Sequence, residues 1–540
     1  MTRTLFRNGY VHTPADPHAT AIAVEDGVVV WTGDDDASVH FADNAGRVVD
    51  LGGRLVTPAF VDAHVHLAET GMAAHSVDLS GVQSLAAALD RLAAHARATS
   101  FPVVLGYGWD ETRWPEDRPF TRAEVDRAVG GKAAFLARVD VHSAVVSTGF
   151  LDGCPALARL DGYREDGLVS RMANIAARKA LFALMPAAVR RDAIADALGD
   201  AARAGIAMVH EMGAPGDSPE EDFDDIGALA DASALGEGPT LPEVEWYWGS
   251  LDVDEARRLG CAGAAGDLCA DGAIGSRTAA LHAPYADDPS TSGQLYLRAE
   301  EVTDHVLACT EKRLQAGFHV IGDRAVAEVV EGFRVAAEKI GAPAVVAGRH
   351  RLEHLEMVTA EQMTVLGELG VTASMQPMFD ALWGGTESLY AQRLGARRAR
   401  RMNAFASLNR AGVALAFGSD TPVTAFDPWG SVRAAAWHQT AEERITVRAA
   451  FNAHTRGGWR AARRDEGGVL ALGAPAGLAV WDVPGDLLVQ TPDARVAAWS
   501  TDPRAGVPHL PDLHPDLDLP RCVMTLVRGR VAFEEAGALT

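Results

Sequence analysis

The sequence has 540 residues, of which 48% are hydrophobic and 23% charged, close to the average for globular proteins. Its 49 basic and 73 acidic residues give a formal net charge of −24, which repels phosphate backbones and argues against a nucleic-acid partner. We find no run of about 18 apolar residues and no amino-terminal signal pattern, so we expect a cytoplasmic protein without a membrane partner. Five cysteines without a CxxC pair are expected to be reduced thiols.

The two ends of the chain are predicted to be rich in β-strands. Short apolar runs broken by NG, EDG and GG turns occupy residues 1–56. Similar runs occupy residues 468–540, among them GLAVWDV, ARVAAWS at 494–500 and a final hairpin that turns at RG. We therefore expect one small β domain assembled from both termini. Two unrelated β segments are the alternative.

The middle of the chain, residues 57–467, alternates short apolar runs with Ala-rich segments of helical length. AAVRRDAIADALGDAARAGI followed by AMVHEM is one such pair. Strands and helices that alternate in this way imply a parallel sheet. The total length fits an α/β protein of the (β/α)₈ TIM-barrel class with an insertion at about 70–190. A doubly wound sheet is the alternative, but no GxGxxG or P-loop pattern supports a nucleotide site in it.

Several polar residues follow apolar runs, where a barrel places its chemistry at the carboxyl ends of the strands. His64 and His66 come after TPAFV and, two residues apart in a strand, point to the same side. His319, His354 and Asp420 each end a later apolar run. Each of these residues alone has an ordinary structural explanation. Together they predict a cage for a divalent metal of borderline softness, above all Zn²⁺.

A metal held by such a cage would lower the pKa of a bound water and make it a nucleophile. A nearby Asp or His would then carry the proton to the leaving group. This chemistry hydrolyses an amide, an amidine or a related carbonyl bond. The chain has no GxSxG motif and no Cys beside an evident His base, so nucleophilic acyl transfer is not favoured.

Five motifs give the chain a specific resemblance: VTPAFVDAHVHL, FHVIGDRA, RHRLEHLE, SMQP and FGSDTPV. They resemble the amidohydrolase superfamily and, within it, amidohydrolase family 3, the YtcJ-like metal-dependent hydrolases. The stretches 106–128, 136–151 and 270–281 resemble further segments of that family, so the resemblance covers nearly the whole chain. It implies a TIM barrel beside a small urease-like β-sandwich. It also implies hydrolysis of non-peptide carbon–nitrogen bonds, since N-substituted formamide deformylases belong to the group.

The resemblance also implies roles for individual residues. It carries metal binding onto five of them, with Asp420 also the proton shuttle: His64, His66, His319, His354 and Asp420. It places four others in motifs that line the substrate pocket: Trp109, Asp140, His142 and Arg277. The alternatives are a core position for Trp109, a helix start for His142 and a local ion pair for Arg277. A small-molecule substrate is the partner that follows, and a homodimer is an expectation from the superfamily.

The sequence departs from the resemblance where many relatives have a carboxylated lysine that bridges two metal ions. Asp267 occupies that position, and no other lysine can easily substitute. Asp267 itself could bridge two ions, Glu211 could reach in, or the site could hold one ion. We favour one ion, with His354 hydrogen-bonded to the attacking water, because an Asp is several bonds shorter than a carboxylated lysine. A further departure is Val141, where relatives usually have glycine.

Two other functions stay open. A deaminase of a cyclic amidine would need a Glu near the leaving nitrogen, and Glu211 is a candidate outside the usual HxxE context. A metal-binding or ligand-binding protein that has lost turnover is suggested by the missing lysine. The intact set of metal-binding residues argues against that loss.

Overall fold

The computed structural model describes residues 3–215, 220–488 and 508–539. Its largest sheet has eight parallel strands, which form a nearly closed barrel. In chain order these barrel strands are Phe60–Val65, Ile206–Gly213, Glu243–Trp248, Gly263–Ala264, Gln315–Val320, Arg351–His354, Thr372–Met375 and Ala414–Phe417. The predicted α/β barrel is confirmed.

The first and last barrel strands meet at their carboxyl ends. Val65 forms a parallel bridge with Thr421, and the backbone N–H of Asp420 donates to the carbonyl of His64 over 2.8 Å. The strands Phe60–Val65 and Gln315–Val320 are buried along their whole length, as the continuous apolar runs of the sequence indicate. This closure places the ends of the first and eighth strands side by side.

Helices connect the barrel strands. The longest, Asp323–Ile340, buries Val326, Val329 and Phe333, whose spacing of three and four residues gives one apolar face. The α-helices are Asp35–Ala42, Leu67–Ala74, Leu85–Ala98, Arg122–Val129, Thr148–Gly153, Arg171–Leu184, Ala187–Arg203, Glu220–Leu235, Val253–Arg258, Ala299–Lys312, Asp323–Ile340, Ala342–Gly348, Ala360–Glu368, Pro377–Trp383, Leu389–Leu394, Ala396–Ala399, Phe405–Arg410, Pro428–Ala436, Val447–Ala453 and Arg456–Ala461.

Strands from both ends of the chain form two further sheets. The four-stranded sheet contains Arg3–Arg7, Ala21–Glu25, Val28–Gly33 and Arg47–Asp50. The five-stranded sheet contains Tyr10–Val11, Leu55–Pro58, Leu478–Asp482, Arg521–Val527 and Arg530–Glu534. Side chains of the two sheets, such as Phe6 and Val523, share one apolar cluster. The strand expected at 494–500 lies outside the described residues.

A separate five-stranded sheet follows the first barrel strand, within the stretch where the sequence suggests an insertion. Its strands are Val77–Asp78, Val104–Trp109, Ala134–Arg138, Ser143–Val146 and Leu168–Ser170. Among the described residues, no single helix has both the length and the apolar character to cross a membrane. One helix pair, 171–184 with 187–203, passes that test only when joined, and it is bent by 103°.

Trp481 of the five-stranded terminal sheet joins that sheet to the barrel. Its ring packs edge-on against Phe60 and Trp429, and its indole N–H donates to Thr57 Oγ1 over 2.8 Å. Gly205, which precedes the second barrel strand, has a φ of +82°, and a Cβ there would lie 2.2 Å from the Trp481 ring. This contact leaves no room for any side chain at position 205.

Gly205→Ala is expected to destabilise the protein by about 1–3 kcal/mol more than Gly53→Ala, because only the first forces an overpacked contact. Gly53 has the same φ of +82°, and a Cβ there would have no atom within 4 Å, so it controls for the backbone cost. Urea denaturation of both variants measures the difference. Equal midpoints would show that the ring of Trp481 moves aside freely.

Candidate metal centre

Six His and Asp side chains meet at the carboxyl ends of the barrel strands. His64 lies on the first strand and His66 follows it. His319 and His354 lie on the fifth and sixth strands. Asp267 and Asp420 lie in the segments that follow the fourth and eighth strands. Among the described residues these six side chains form three overlapping groups that could hold a metal ion. Asp267 belongs to two of these groups, one with His64 and His66 and one with His319 and His354.

The ligand atoms lie at separations that suit a small cation. His66 Nε2 lies 3.3 Å from Asp267 Oδ2 and 3.2 Å from Asp420 Oδ1, and His64 Nε2 lies 3.5 Å from Asp267 Oδ1. His319 Nδ1 lies 3.7 Å from Asp267 Oδ1. Around a tetrahedral ion with bonds of about 2.0–2.1 Å, neighbouring ligand atoms are about 3.3 Å apart. The residues present therefore fit a divalent metal.

Two of these buried atoms have no hydrogen-bond partner, namely His64 Nε2 and Asp267 Oδ1. Buried polar atoms are nearly always satisfied, so an unsatisfied pair at one point calls for an ion or a water. The sequence favours one ion because Asp267 has a short side chain, yet its carboxylate lies among three imidazoles. The chain after the short fourth strand carries it inward.

Hydrogen bonds behind the ligands set which ring nitrogen faces the centre. His64 Nδ1 donates to Glu353 Oε2 over 2.9 Å, so its Nε2 lone pair faces inward. His319 Nε2 donates to the carbonyl of Gly272 over 3.3 Å, which leaves Nδ1 for the centre. His354 Nδ1 donates to Gln376 Oε1 over 2.8 Å. Each of these three imidazoles is thereby oriented by a partner on the side away from the centre.

The backbone around the first strand is also held tightly. Asp62 Oδ1 accepts the N–H groups of His64 and Ser419, over 3.3 and 2.8 Å. A Cβ at Gly418 would lie 2.6 Å from the His64 nitrogen, so only glycine fits there. Asp420 has a φ of +57°, a left-handed conformation that is uncommon for residues other than glycine and often found at functional sites.

The charges of the cluster stabilise one another. Burial disfavours the imidazolium form of His319, but the neighbouring Asp267 outweighs burial and raises the pKa of His319 to about 9. The pKa of His64 and that of His66 are also raised against burial, by Asp267 and Asp420. Burial opposes ionisation of Asp267 too, yet the imidazole of His64 holds its pKa well below the usual range. Without a metal, the cluster shares protons between imidazoles and carboxylates.

Burial and the charge of His319 lower the pKa of His354 to about 3, so this ring is neutral and able to ligate or to accept a proton. Glu211 lies on the second barrel strand and takes no part in the ligand groups found among the described residues. Its Oε2 accepts the backbone N–H of Leu67 over 2.8 Å, so it holds the chain just after His66. The structure thus gives Glu211 a supporting contact beside His66 and not a place among the candidate ligands.

Two of the four expected pocket residues lie elsewhere. Trp109 is completely buried in the core of the inserted sheet, and its indole N–H donates to the carbonyl of Leu136 over 2.8 Å. Arg277 forms a 2.7 Å ion pair with Asp287 and does not line the cavities at the centre. The structure thus shows the alternatives given for them, a core position for Trp109 and a local ion pair for Arg277.

Asp140 and His142 do line cavities beside the cluster. The His142 ring lies 5.0 Å from the ring of His319. One cavity of about 200 Å³ is lined by the polar side chains of His142, Arg171 and Asn174, among others. A smaller one of about 30 Å³ shares His142 and His319 with it and is also lined by the aromatic residues Phe379 and Trp383.

Sequence reasoning missed the residues behind the ligands, chiefly Arg351, Glu353 and Gln376. Arg351 Nε donates to Glu353 Oε1 over 2.6 Å, and both side chains are completely buried. Burial opposes ionisation of Glu353, but Arg351 lowers its pKa to about 2. The motif RHRLEHLE held a usable signal, because residues 351 and 353 alternate on one strand and must share a face.

Comparisons with known proteins agree with this geometry. A family model described as "Amidohydrolase family" matches residues 47–533. Protein LONG AFTER FAR-RED 3 of Arabidopsis thaliana is 26% identical over 467 residues, 80% of this chain and 77% of that protein. The protein YtcJ of Bacillus subtilis strain 168 is 25% identical over 473 residues, 82% and 85% of the two chains. The crystal structure of an uncharacterized metal-dependent hydrolase from Pyrococcus horikoshii OT3 superposes with a TM-score of 0.70 at 26% identity, covering 89% of this chain and 97% of that one.

The affinity of the metal-free protein for Zn²⁺ is expected to rise as the pH rises from about 6 to 9. A His319 pKa of about 9 means that a proton must leave this ring before a metal binds below that pH. By the same linkage, the stability that protonated His319 gives the metal-free fold is present below about pH 6.5 and is lost as the pH rises through about 9.

Zn²⁺ competition titrations between pH 6 and 9, in buffers that report proton release, measure this dependence. His282→Gln removes an exposed histidine outside the cluster and should leave the slope unchanged. An affinity that does not vary with pH in the unmodified protein would contradict the shared-proton description of the cluster.

Proposed function

This chain belongs to the amidohydrolase family, hydrolases of carbon–nitrogen bonds other than peptide bonds, and we propose that it hydrolyses an amide-like bond of a small molecule with a divalent metal, Zn²⁺ in preference to others. The observation that carries the proposal is the convergence of four imidazoles and two carboxylates at one end of the barrel. A set of nitrogen and oxygen ligands is the set that Zn²⁺ accepts. A metal held there would activate a water molecule and polarise the carbonyl of the substrate.

We further propose that the centre holds two ions bridged by Asp267, although the sequence alone favours one. Asp267 is shared between the group with His64 and His66 and the group with His319 and His354. Its two oxygens lie toward different imidazoles, Oδ2 toward His66 and Oδ1 toward His64 and His319. A carboxylate in this position can do what a carboxylated lysine does in relatives that have one.

Asp420 is the proposed carrier of the proton. Its Oδ1 lies 3.4 Å from His64 Nε2 and 3.2 Å from His66 Nε2, which leaves the second oxygen to take a proton from the attacking water. The same oxygen then gives the proton to the departing nitrogen, so that an amine and a carboxylic acid leave. His142 lines the cavity beside the ligands and is placed to orient the carbonyl.

The two other functions have less support. A deaminase requires a Glu free to protonate the leaving nitrogen, and Glu211 is engaged with the N–H of Leu67. A protein without turnover has no need for Asp420 in a left-handed conformation at the edge of the cavity.

Elemental analysis of protein purified without added metal or chelator is expected to give about two equivalents of divalent metal per chain. Asp267→Asn should reduce this to one or less and lower turnover by more than about 100-fold, because it removes a ligand of both ions. Asp254→Asn, which changes an exposed carboxylate paired with Lys312, is the control and should retain both. One equivalent in the unmodified protein would instead support the single-ion site.

A panel of N-formyl and N-acetyl amines tests the activity itself. We expect release of the amine, loss of at least about 100-fold of the rate after chelation, and recovery when Zn²⁺ is returned. Asp420→Asn should lose a similar factor while it keeps substantial metal. Turnover that chelation leaves intact would contradict the proposal, as would a metal-loaded enzyme that attacks no member of the panel.

A further inference from the structure

The polar cavity beside the metal centre has features that catalysis at the metal does not use. It is lined on one side by Arg171 and Asn174 from the first turn of the helix Arg171–Leu184 and, one turn further on, by Arg178. Residues three apart on a helix lie on the same face, so Arg171 and Asn174 are side by side. The same cavity is also lined by metal-centre residues, among them Asp267 and His319.

Arg171 and Asn174 each carry a buried polar atom without a hydrogen-bond partner, Arg171 Nε and Asn174 Oδ1. Asn174 is only 4% exposed. Its amide nitrogen donates to the carbonyl of Val141 over 3.0 Å, which fixes the orientation of the amide and leaves its oxygen as an acceptor. One unsatisfied donor and one unsatisfied acceptor therefore lie next to each other at this cavity.

The charge available on this side of the cavity is positive. The only ion pair of Arg171 among the described residues is a 3.4 Å contact from Nη1 to Asp161, a carboxylate that is 54% exposed. Arg178 adds a second guanidinium, which is paired with Glu69. The carboxylate of Asp271 faces the backbone N–H groups of Gly322 and neighbouring residues and is occupied by them.

The backbone conformation of Arg171 is also unfavourable for a residue with a side chain. Arg171 has a φ of +50° at the start of its helix, a conformation in which glycine would be favoured. Val141, whose carbonyl holds Asn174, has a φ of +48°. Val141 and Arg171 both line the cavity, and both adopt a backbone conformation that is unfavourable for their side chains.

We propose that Arg171 and Asn174 bind a carboxylate-bearing substrate, in which the carboxylate receives the Arg171 guanidinium and an adjacent N–H donates to Asn174 Oδ1. The inference rests on the proposed hydrolytic function and specifies its substrate class as N-acylated amino acids and related acids. Water is added across the acyl carbon–nitrogen bond, so the products are a carboxylic acid and a free amino acid. Hydrogen bonds between charged groups are stronger than those between neutral groups, and the planar guanidinium can donate two parallel hydrogen bonds to a carboxylate.

The experiment compares acids with their neutral amides of the same shape: N-formylglycine with N-formylglycinamide, and N-acetylglycine with N-acetylglycinamide. The metal-loaded enzyme is expected to prefer the acid by about tenfold or more in kcat/KM. Arg171→Gln should abolish this preference by raising KM for the acid. Its kcat for the acid, and its kcat/KM for the amide, should stay nearly unchanged. Arg171→Lys keeps the charge without the planar fork and should fall between the two.

Arg191→Gln is the matched control, because Arg191 is an exposed arginine with only a 3.8 Å contact to Asp225. Circular dichroism and metal content show whether Arg171→Gln is folded. If that variant does not fold, the conservative Arg171→Lys variant, which loses the planar fork, should still reduce the preference. A neutral amide that is as good as the acid, or an Arg171→Gln variant that loses both substrates equally, would overturn the proposal.

Calorimetric binding of the acid and the amide to the metal-loaded protein separates this inference from the proposed function. Tighter binding of the acid that Arg171→Gln abolishes supports the carboxylate site even if neither compound is hydrolysed, in which case the hydrolytic proposal fails. Hydrolysis of both compounds with equal binding leaves the function standing and refutes the carboxylate site.

Discussion

The metal centre depends on a buried ion pair inside the barrel, that of Arg351 with Glu353. Taking both charges out of water is costly, and the cost is offset only when every remaining donor and acceptor is satisfied. Arg351 therefore also donates to the carbonyl of Ala63, to Ser374 Oγ and to His210 Nδ1, over 2.7, 3.0 and 3.0 Å. These contacts join the first, second, sixth and seventh strands. Glu353 in turn accepts the hydrogen bond from His64 Nδ1 and so orients the ring of that ligand.

The histidines and carboxylates of the cluster are all buried, and each kind stabilises the charged form of the other. A buried carboxylate resists ionisation and a buried imidazole resists protonation. Asp267 and Asp420 among His64, His66 and His319 reverse both tendencies by proximity. A divalent cation can take over the role of the shared protons without changing the charge balance of the site greatly. The same arrangement supports the proposal that Asp267 serves in place of a carboxylated lysine.

The sequence predicted the barrel, its metal-binding histidines and Asp420 because these follow from local patterns: apolar runs that each end in a ligand. The reach of Asp267 could not be predicted in this way, since it depends on how the segment after a two-residue strand turns inward. For Trp109 and Arg277 the sequence left a structural alternative open, because a motif does not show which side of the chain is buried. The Arg171 and Asn174 pair carries no motif and becomes visible only as two unsatisfied atoms at one cavity.

The inserted sheet packs against the carboxyl end of the barrel through buried charged and polar side chains. Arg138 of the inserted sheet forms a 3.2 Å ion pair with Asp140, and Ser276 of the barrel loop donates to the same carboxylate over 2.9 Å. A Cβ at Gly275 would lie 2.4 Å from both Arg138 and Asp140, so the two segments meet without space between them. His142, two residues beyond Asp140, is thereby fixed against the metal centre. A change in these contacts would therefore affect the chemistry through the position of His142.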